Sequence, residues 1–280
     1  MARLAIFLLF VSLAAVAQSP LERAVTLARE KRYAEAKDVL QSVPEPTPAA
    51  QKVAFHRLKA AVDAGLNDAT AAASEMQQAL AVAPSDPALL LATAVAEMSA
   101  GQLDPALRHA ESAGGTATAR AIVGDIEEKL GDFPNAIAAW QDAARIDPSK
   151  EEYRSTLAFA LTLHQDFAGA VETLKPAIQV FPKSSRLRTL LGIAQYAMGD
   201  SDDAAATLSA AIAIDPAAEP AYRSLAQIVL ESSSAPEPNI VNQLCGWNVT
   251  VCSALKLRAA REIGDAGLQA EAIASLERAP

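Results

Sequence analysis

Residues able to do chemistry are scarce in this chain. Its 280 residues include three histidines, two cysteines and two tryptophans, and aromatic residues make up only 5% of the total. His56, His109 and His164 stand more than 50 positions apart. None has the i, i+4 partner with which one helix presents two imidazoles to a metal, so they read as solvated or packing residues rather than ligands or catalysts. The sequence contains no HExxH, no GxSxG, no phosphate-cradling glycine loop and no dinucleotide fingerprint, and Gly114-Gly115 reads as a turn between helices. Neighbouring acids such as Glu127-Glu128 and Asp202-Asp203 read as solvated helix faces. The expectation is a protein that is not an enzyme, with no catalytic residue, no metal site and no cofactor. The shortage of aromatic rings also weighs against a glycan groove, although an exported polysaccharide or peptidoglycan is the alternative ligand class.

Positive charge and long apolar runs are in short supply too. Lys and Arg number 24 against 33 Asp and Glu, a net charge of −9, which disfavours nucleic acid because phosphate binding needs a basic surface. Residues 1–17, MARLAIFLLFVSLAAVA, hold an apolar run of about 14 residues, short of the roughly 20 that span a bilayer. Arg3 precedes that run, and Ala15 and Ala17 end it at A-x-A spacing, so it reads as a secretory signal cut before Gln18, with retention as an anchor the competing reading. Cleavage would remove Arg3, taking the net charge from −9 to −10, and leave a periplasmic or secreted chain with no membrane span. No cysteine near the cut suggests a lipoprotein. In an exported chain the pair Cys245 and Cys252, seven apart, is expected to form a disulfide rather than a metal or redox site. Asn248-Val249-Thr250 is a formal glycosylation acceptor of a kind that recurs by chance.

What is abundant is small and aliphatic: hydrophobic residues reach 51% with few aromatics, a composition suited to closely packed helices. Between residues 117 and 216 a 34-residue unit is written three times in register. Prolines stand at Pro148, Pro182 and Pro216. Alanines recur at Ala136, Ala170 and Ala204 and at Ala143, Ala177 and Ala211, small residues at Gly124, Ala158 and Gly192, and large apolar ones at Trp140, Leu174 and Leu208. Asp132, Asp166 and Asp200 follow Gly131, Gln165 and Gly199, placing a turn inside each unit.

This pattern resembles the tetratricopeptide repeat (TPR), two antiparallel helices with a small residue at their crossing, alanine and a bulky residue on the second helix, and a closing proline. The resemblance implies an all-α fold, a right-handed superhelical solenoid of about seven to eight stacked helix pairs. Outside the strict units the match is weaker. Residues 18–116 read as divergent units: a first with Ala36, Leu40 and Pro48, a second with Ala72, Met76, Ala79 and Pro84, and a shorter third with Gly101, Ala106 and Ala110. The regular units span 117–230 and run into Tyr222, Leu225 and Ala226. ESSSAPEPN then puts Pro238 where alanine is due, so 231–252 is expected to be an irregular, cysteine-bracketed segment, with a second helix either displaced to about 239–246 or lost. Ala272, Leu276 and Ala279 lie two periods after Ala204, Leu208 and Ala211, which predicts a last unit over 253–280.

The function that follows from the resemblance is an exported interaction scaffold, an assembly factor or adaptor whose partner is another protein or peptide of the bacterial cell envelope. Residues one and four positions after each crossing residue share a face turned away from the second helix, and by resemblance that face lines a groove. It carries Phe159, Thr162, Ile193, Tyr196, Gln227 and Leu230, with Arg186 and Arg223 on preceding turns. Repeats that clamp a terminal carboxylate place asparagine where Phe159, Ile193 and Gln227 stand, so that activity is not implied. An apolar strip with arginines suits a peptide with apolar anchors and an acid. Trp247 is expected to patch the degenerate unit, with ligand contact as the sharper alternative.

Overall fold

The computed structural model describes residues 19–232 and 237–278. The leader expected over 1–17, and Ala279, lie outside them. The described residues form sixteen α-helices and no strand. They divide into two compact units at the Gly115/Thr116 boundary.

The first unit holds α1 (Pro20–Arg29), α2 (Tyr33–Gln41), α3 (Ala49–Gly65), α4 (Ala69–Val82), α5 (Pro87–Ser99) and α6 (Leu103–Ser112). Its starts are written locally: Ser19 and Glu22 form a reciprocal capping box on α1, and the side chains of Asp68 and Asp86 accept from the first-turn amides of α4 and α5. Ala24, Leu27, Ala36, Leu40, Phe55 and Val62 make one core cluster, and Ala60, Met76, Ala79, Leu80, Leu89, Leu90 and Ala113 another.

The second unit holds α7 (Ala117–Leu130), α8 (Phe133–Ile146), α9 (Glu151–Leu163), α10 (Phe167–Val180), α11 (Ser185–Ala197), α12 (Ser201–Ile214), α13 (Glu219–Glu231), α14 (Pro238–Trp247), α15 (Val249–Glu262) and α16 (Ala266–Glu277). Each helix packs on its successor, and the first helices of neighbouring pairs also meet, α9 with α11, α11 with α13 and α13 with α15. The repeated columns are the core. All six column alanines of α8, α10 and α12 are fully buried, as are Leu174 and Leu208, with Trp140 nearly so. The small residue at the crossing has a steric cause: a Cβ built on Gly192 would stand 2.6 Å from Cγ of Leu208, and one on Gly124 would stand 2.6 Å from the indole nitrogen of Trp140. At the turn inside each pair the chain goes left-handed at Gly131 (φ 83°), Gln165 (φ 63°) and Gly199 (φ 93°). At two of these turns the following aspartate caps the second helix, Asp132 accepting from Asn135 N and Asp166 from Gly169 N, whereas Asp200 makes no such side-chain bond.

Two expectations need correcting at the far end. Residues 231–252 are not irregular throughout: from Pro238 the chain is helical, the proline taking the first helical position, where its missing N–H costs nothing. The second helix of that pair is thus displaced rather than lost. The last pair also departs from the two-period register. Gly264 and Asp265 repeat the turn of Gly199 and Asp200, with φ of 72° and 93° at the glycines, at a step of 65 residues, so α16 begins three residues early. Three residues rotate a helix by about 300°, which returns nearly to the same face, and Ala272 is still the buried residue of α16.

Candidate functional site

The candidate groove residues lie on α9, α11 and α13. Phe159 is 55% exposed, and Leu163, one turn further along α9, is 59% exposed. Leu163 was missed by the one-and-four spacing rule, yet it stands four positions after Phe159 and shares its face. Leu230 on α13 is 43% exposed. Ile193 and Tyr196 on α11 are half-buried. The hydroxyl of Thr162 donates to the Ala158 carbonyl of its own helix at 2.8 Å, so that face of α9 offers carbon rather than hydrogen bonds.

Polar contacts link α11 to α13. The Tyr196 hydroxyl donates to Oε2 of Glu231, and Gln227 Nε2 donates to Oε1 of the same carboxylate at 3.1 Å. The Tyr196 hydrogen bond, and then that of Gln227, hold Glu231 below the usual carboxylate range, and the same bond raises the Tyr196 phenol. The two arginines differ. Arg223 is engaged by Glu219 at 2.6 Å, one turn back on α13, so its charge is compensated locally. Arg186 is exposed and makes no ion pair among the described residues. The strip is therefore rimmed by one uncompensated arginine and by Glu231, not by two equivalent arginines.

Each histidine meets a carboxylate from another helix, and His56 also meets Glu45 in the preceding loop at 3.6 Å. His56 Nδ1 is 2.7 Å from Glu75, His109 Nδ1 is 2.7 Å from the fully buried Glu97, and His164 Nε2 is 2.9 Å from Glu128. His164 also stacks on Phe133 at 3.8 Å. These are cross-helix ties, and the described residues contain no group of three or more potential metal ligands.

The two tryptophans sit differently. Trp140 is buried beneath Gly124 and donates to Asp125 Oδ1 at 3.1 Å, and Trp247 stacks on Tyr222 at 5.2 Å. Trp247, half-buried, packs on the core cluster of α12 to α15. Cys245 on α14 and Cys252 on α15 are joined by a disulfide, their Cα atoms 4.4 Å apart. Asn248 between them caps α15 by accepting from Val251 N at 3.0 Å. On the first unit, a cavity of about 530 Å³ that no sequence motif signals is walled by α3, α4 and α5 and lined by Arg57, Ala61, Ala64, Met76 and Val95. No described helix is long and apolar enough to cross a membrane.

Comparison with known proteins agrees with this geometry. Residues 161–228 match the family model described as tetratricopeptide repeat. Among solved structures, the C-terminal part of a TPR repeat-containing protein from Cytophaga hutchinsonii is 15% identical, with a TM-score of 0.61 over 91% of this chain and 99% of that one. PilW, described as a widely conserved type IV pilus biogenesis factor, is 16% identical, with a TM-score of 0.57 over 74% and 96%. YrrB, described as a TPR protein with an unusual peptide-binding site, is 15% identical, with a TM-score of 0.50 over 73% and 98%. At such identities the likeness is one of fold. No curated protein matches in sequence. Residues 161–228, from α9 into α13, therefore match tetratricopeptide repeats, and the preceding α7–α8 pair buries the same columns at Ala136, Trp140 and Ala143.

Proposed function

We propose that this protein is an exported, non-enzymatic scaffold that binds an extended segment of another envelope protein along α9, α11 and α13. The observation that carries the reading is Phe159 and Leu163, two large apolar side chains more than half exposed one turn apart on a first helix. Being one turn apart on one face, they adjoin, and contiguous exposed apolar surface marks an interaction site where a lone exposed residue would not. Arg186 supplies a cation for an acidic residue of the ligand, and the half-buried Ile193 shares α11 with it. Export is supported by the leader read over 1–17 and by the bonded cysteines, which persist in oxidising compartments. The type IV pilus factor and the peptide-binding repeat protein of similar fold are consistent with a role in assembly or adaptation.

The test is to select a displayed library of dodecapeptides on the full chain and to compare the enriched peptides on the parent and on Phe159→Ala/Leu163→Ala. Losing an aromatic anchor commonly costs about 2 kcal/mol, roughly thirtyfold in affinity. Because both side chains are exposed, the melting temperature is expected to hold. Failure to enrich any peptide, or enriched peptides that bind the double variant as well as the parent, would sink the assignment.

A further inference from the structure

The α15–α16 pair leaves an apolar groove uncovered among the described residues. Helix α12 buries Ala204, Leu208, Ser209, Ala211 and Ile212, whereas α16 buries Ala272 alone. Between the two helices lies a cavity of about 370 Å³. Ile263, 70% exposed, and Leu268, 47% exposed, stand at its loop end. Its two walls carry opposite charges, Lys256 on α15 and Glu271 on α16. Neither makes an ion pair or hydrogen bond among the described residues.

The hydrogen bond between the hydroxyls of Ser253 and Ser275, at 2.7 Å, fixes how the helices run past each other. In an antiparallel pair, three residues onward on α15 lies level with three residues back on α16, so Lys256 is level with Ala272 and its neighbour Glu271. The groove thus presents a cation and an anion at one height on facing walls, with apolar side chains at one end.

We propose that this face binds a second copy of the same chain, about a two-fold axis running along the groove. Such an axis exchanges the walls: each α16 comes to face the partner's α15 at the same height. Lys256 of each copy then meets the partner's Glu271, giving two reciprocal ion pairs, while Ile263 of each copy comes to face the partner's Leu268. An isologous contact must be self-complementary, and unpaired opposite charges on the two walls meet that requirement; a face of one sign would not. Arg278, also in the groove, falls at the same end in both copies but on opposite walls. The ion pairs set orientation and partner choice more than strength. This assignment stands apart from the peptide groove on α9 to α13.

The experiment is sedimentation velocity on the full chain from about 1 to 200 µM, the range for a transient contact. The expected result is a concentration-dependent monomer–dimer equilibrium. Lys256→Glu and Glu271→Lys, each alone, oppose like charges and are expected to weaken the dimer at least tenfold. Mixing the two single variants restores both pairs in a heterodimer, and the double variant Lys256→Glu/Glu271→Lys restores the homodimer. Ile263→Asp removes the apolar contact and should leave a monomer, while unchanged melting by circular dichroism shows that these surface variants fold. A parent that stays monomeric throughout, single variants that dimerise like the parent, or a mixture that stays monomeric would each overturn the proposal.

Discussion

Asp125 follows the crossing glycine of α7 and accepts the indole hydrogen of Trp140. Burial raises its pKa, the nearby Glu152 adds to the rise, and the Trp140 hydrogen bond and Lys129 only partly offset them. A carboxyl whose folded pKa lies above its unfolded value favours folding when protonated, so its stabilising contribution is present below the unfolded pKa and is lost as pH rises through the folded one. Near neutral pH, then, the charged Asp125 is a cost. Asp125→Asn keeps an oxygen for the indole and removes the buried charge, so it is expected to be more stable than the parent at pH 7, with the gap narrowing as pH falls towards 4. Denaturant midpoints followed by tryptophan fluorescence would measure this, and equal midpoints at every pH would show the burial to be harmless. None of this was legible in the sequence. Asp125 and Trp140 are 15 residues apart, His164 and Glu128 are 36 apart, and such spacings become contacts only after the helices cross.

The helix pair is the scale at which the sequence said most. The columns of alanine, bulky residue and crossing glycine are legible because each answers one local demand, a close approach of two backbones, repeated in each strict unit. The demand can be tested at Gly192, where a Cβ would stand 2.6 Å from Leu208 and 3.2 Å from the Ala204 carbonyl. Ala158 and Ala226 fill the equivalent position, so one methyl group is tolerated by the fold; a branched side chain is not. Gly192→Val is expected to cost about 1–3 kcal/mol, the usual penalty for overpacking a filled core. A thermal melt would show it, and an unchanged melting temperature would mean that the two helices are free to separate. The sequence misled where repeats are joined rather than built. ESSSAPEPN reads as a breaker, yet Pro238 starts α14, and the three-residue advance of α16 hides behind a step that rotates the helix nearly back to its starting face. Leu163 escaped for a related reason: a spacing rule taken from the crossing residue finds the middle of a face and not its edge.

At the scale of the whole molecule the described residues form two compact units, and each holds core clusters of its own. Those of the first use residues 24 to 113, and those of the second run from Ala117 to Leu255. The boundary falls at Gly115/Thr116. Gly114 there has a φ of 98° and neither glycine has a Cβ neighbour to lose, and Thr116 caps α7 by accepting from Ala119 N at 3.2 Å, so the second unit begins with its own start signal. In stacked-repeat proteins stability is roughly the sum of repeat terms and nearest-neighbour interfaces. A fragment keeping all of its own neighbours should then keep its own transition. Residues 116–280 alone are expected to be helical, to unfold cooperatively, and to melt within a few degrees of the corresponding transition in the full chain. The same fragment keeps α9, α11 and α13 together with α15 and α16, so it should also retain peptide binding through Phe159 and Leu163 and dimerisation through Lys256 and Glu271. Circular dichroism and sedimentation of the fragment would decide the matter. A fragment that is unfolded at 25 °C, or that melts far below the full chain, would show that the second unit depends on the first for its stability.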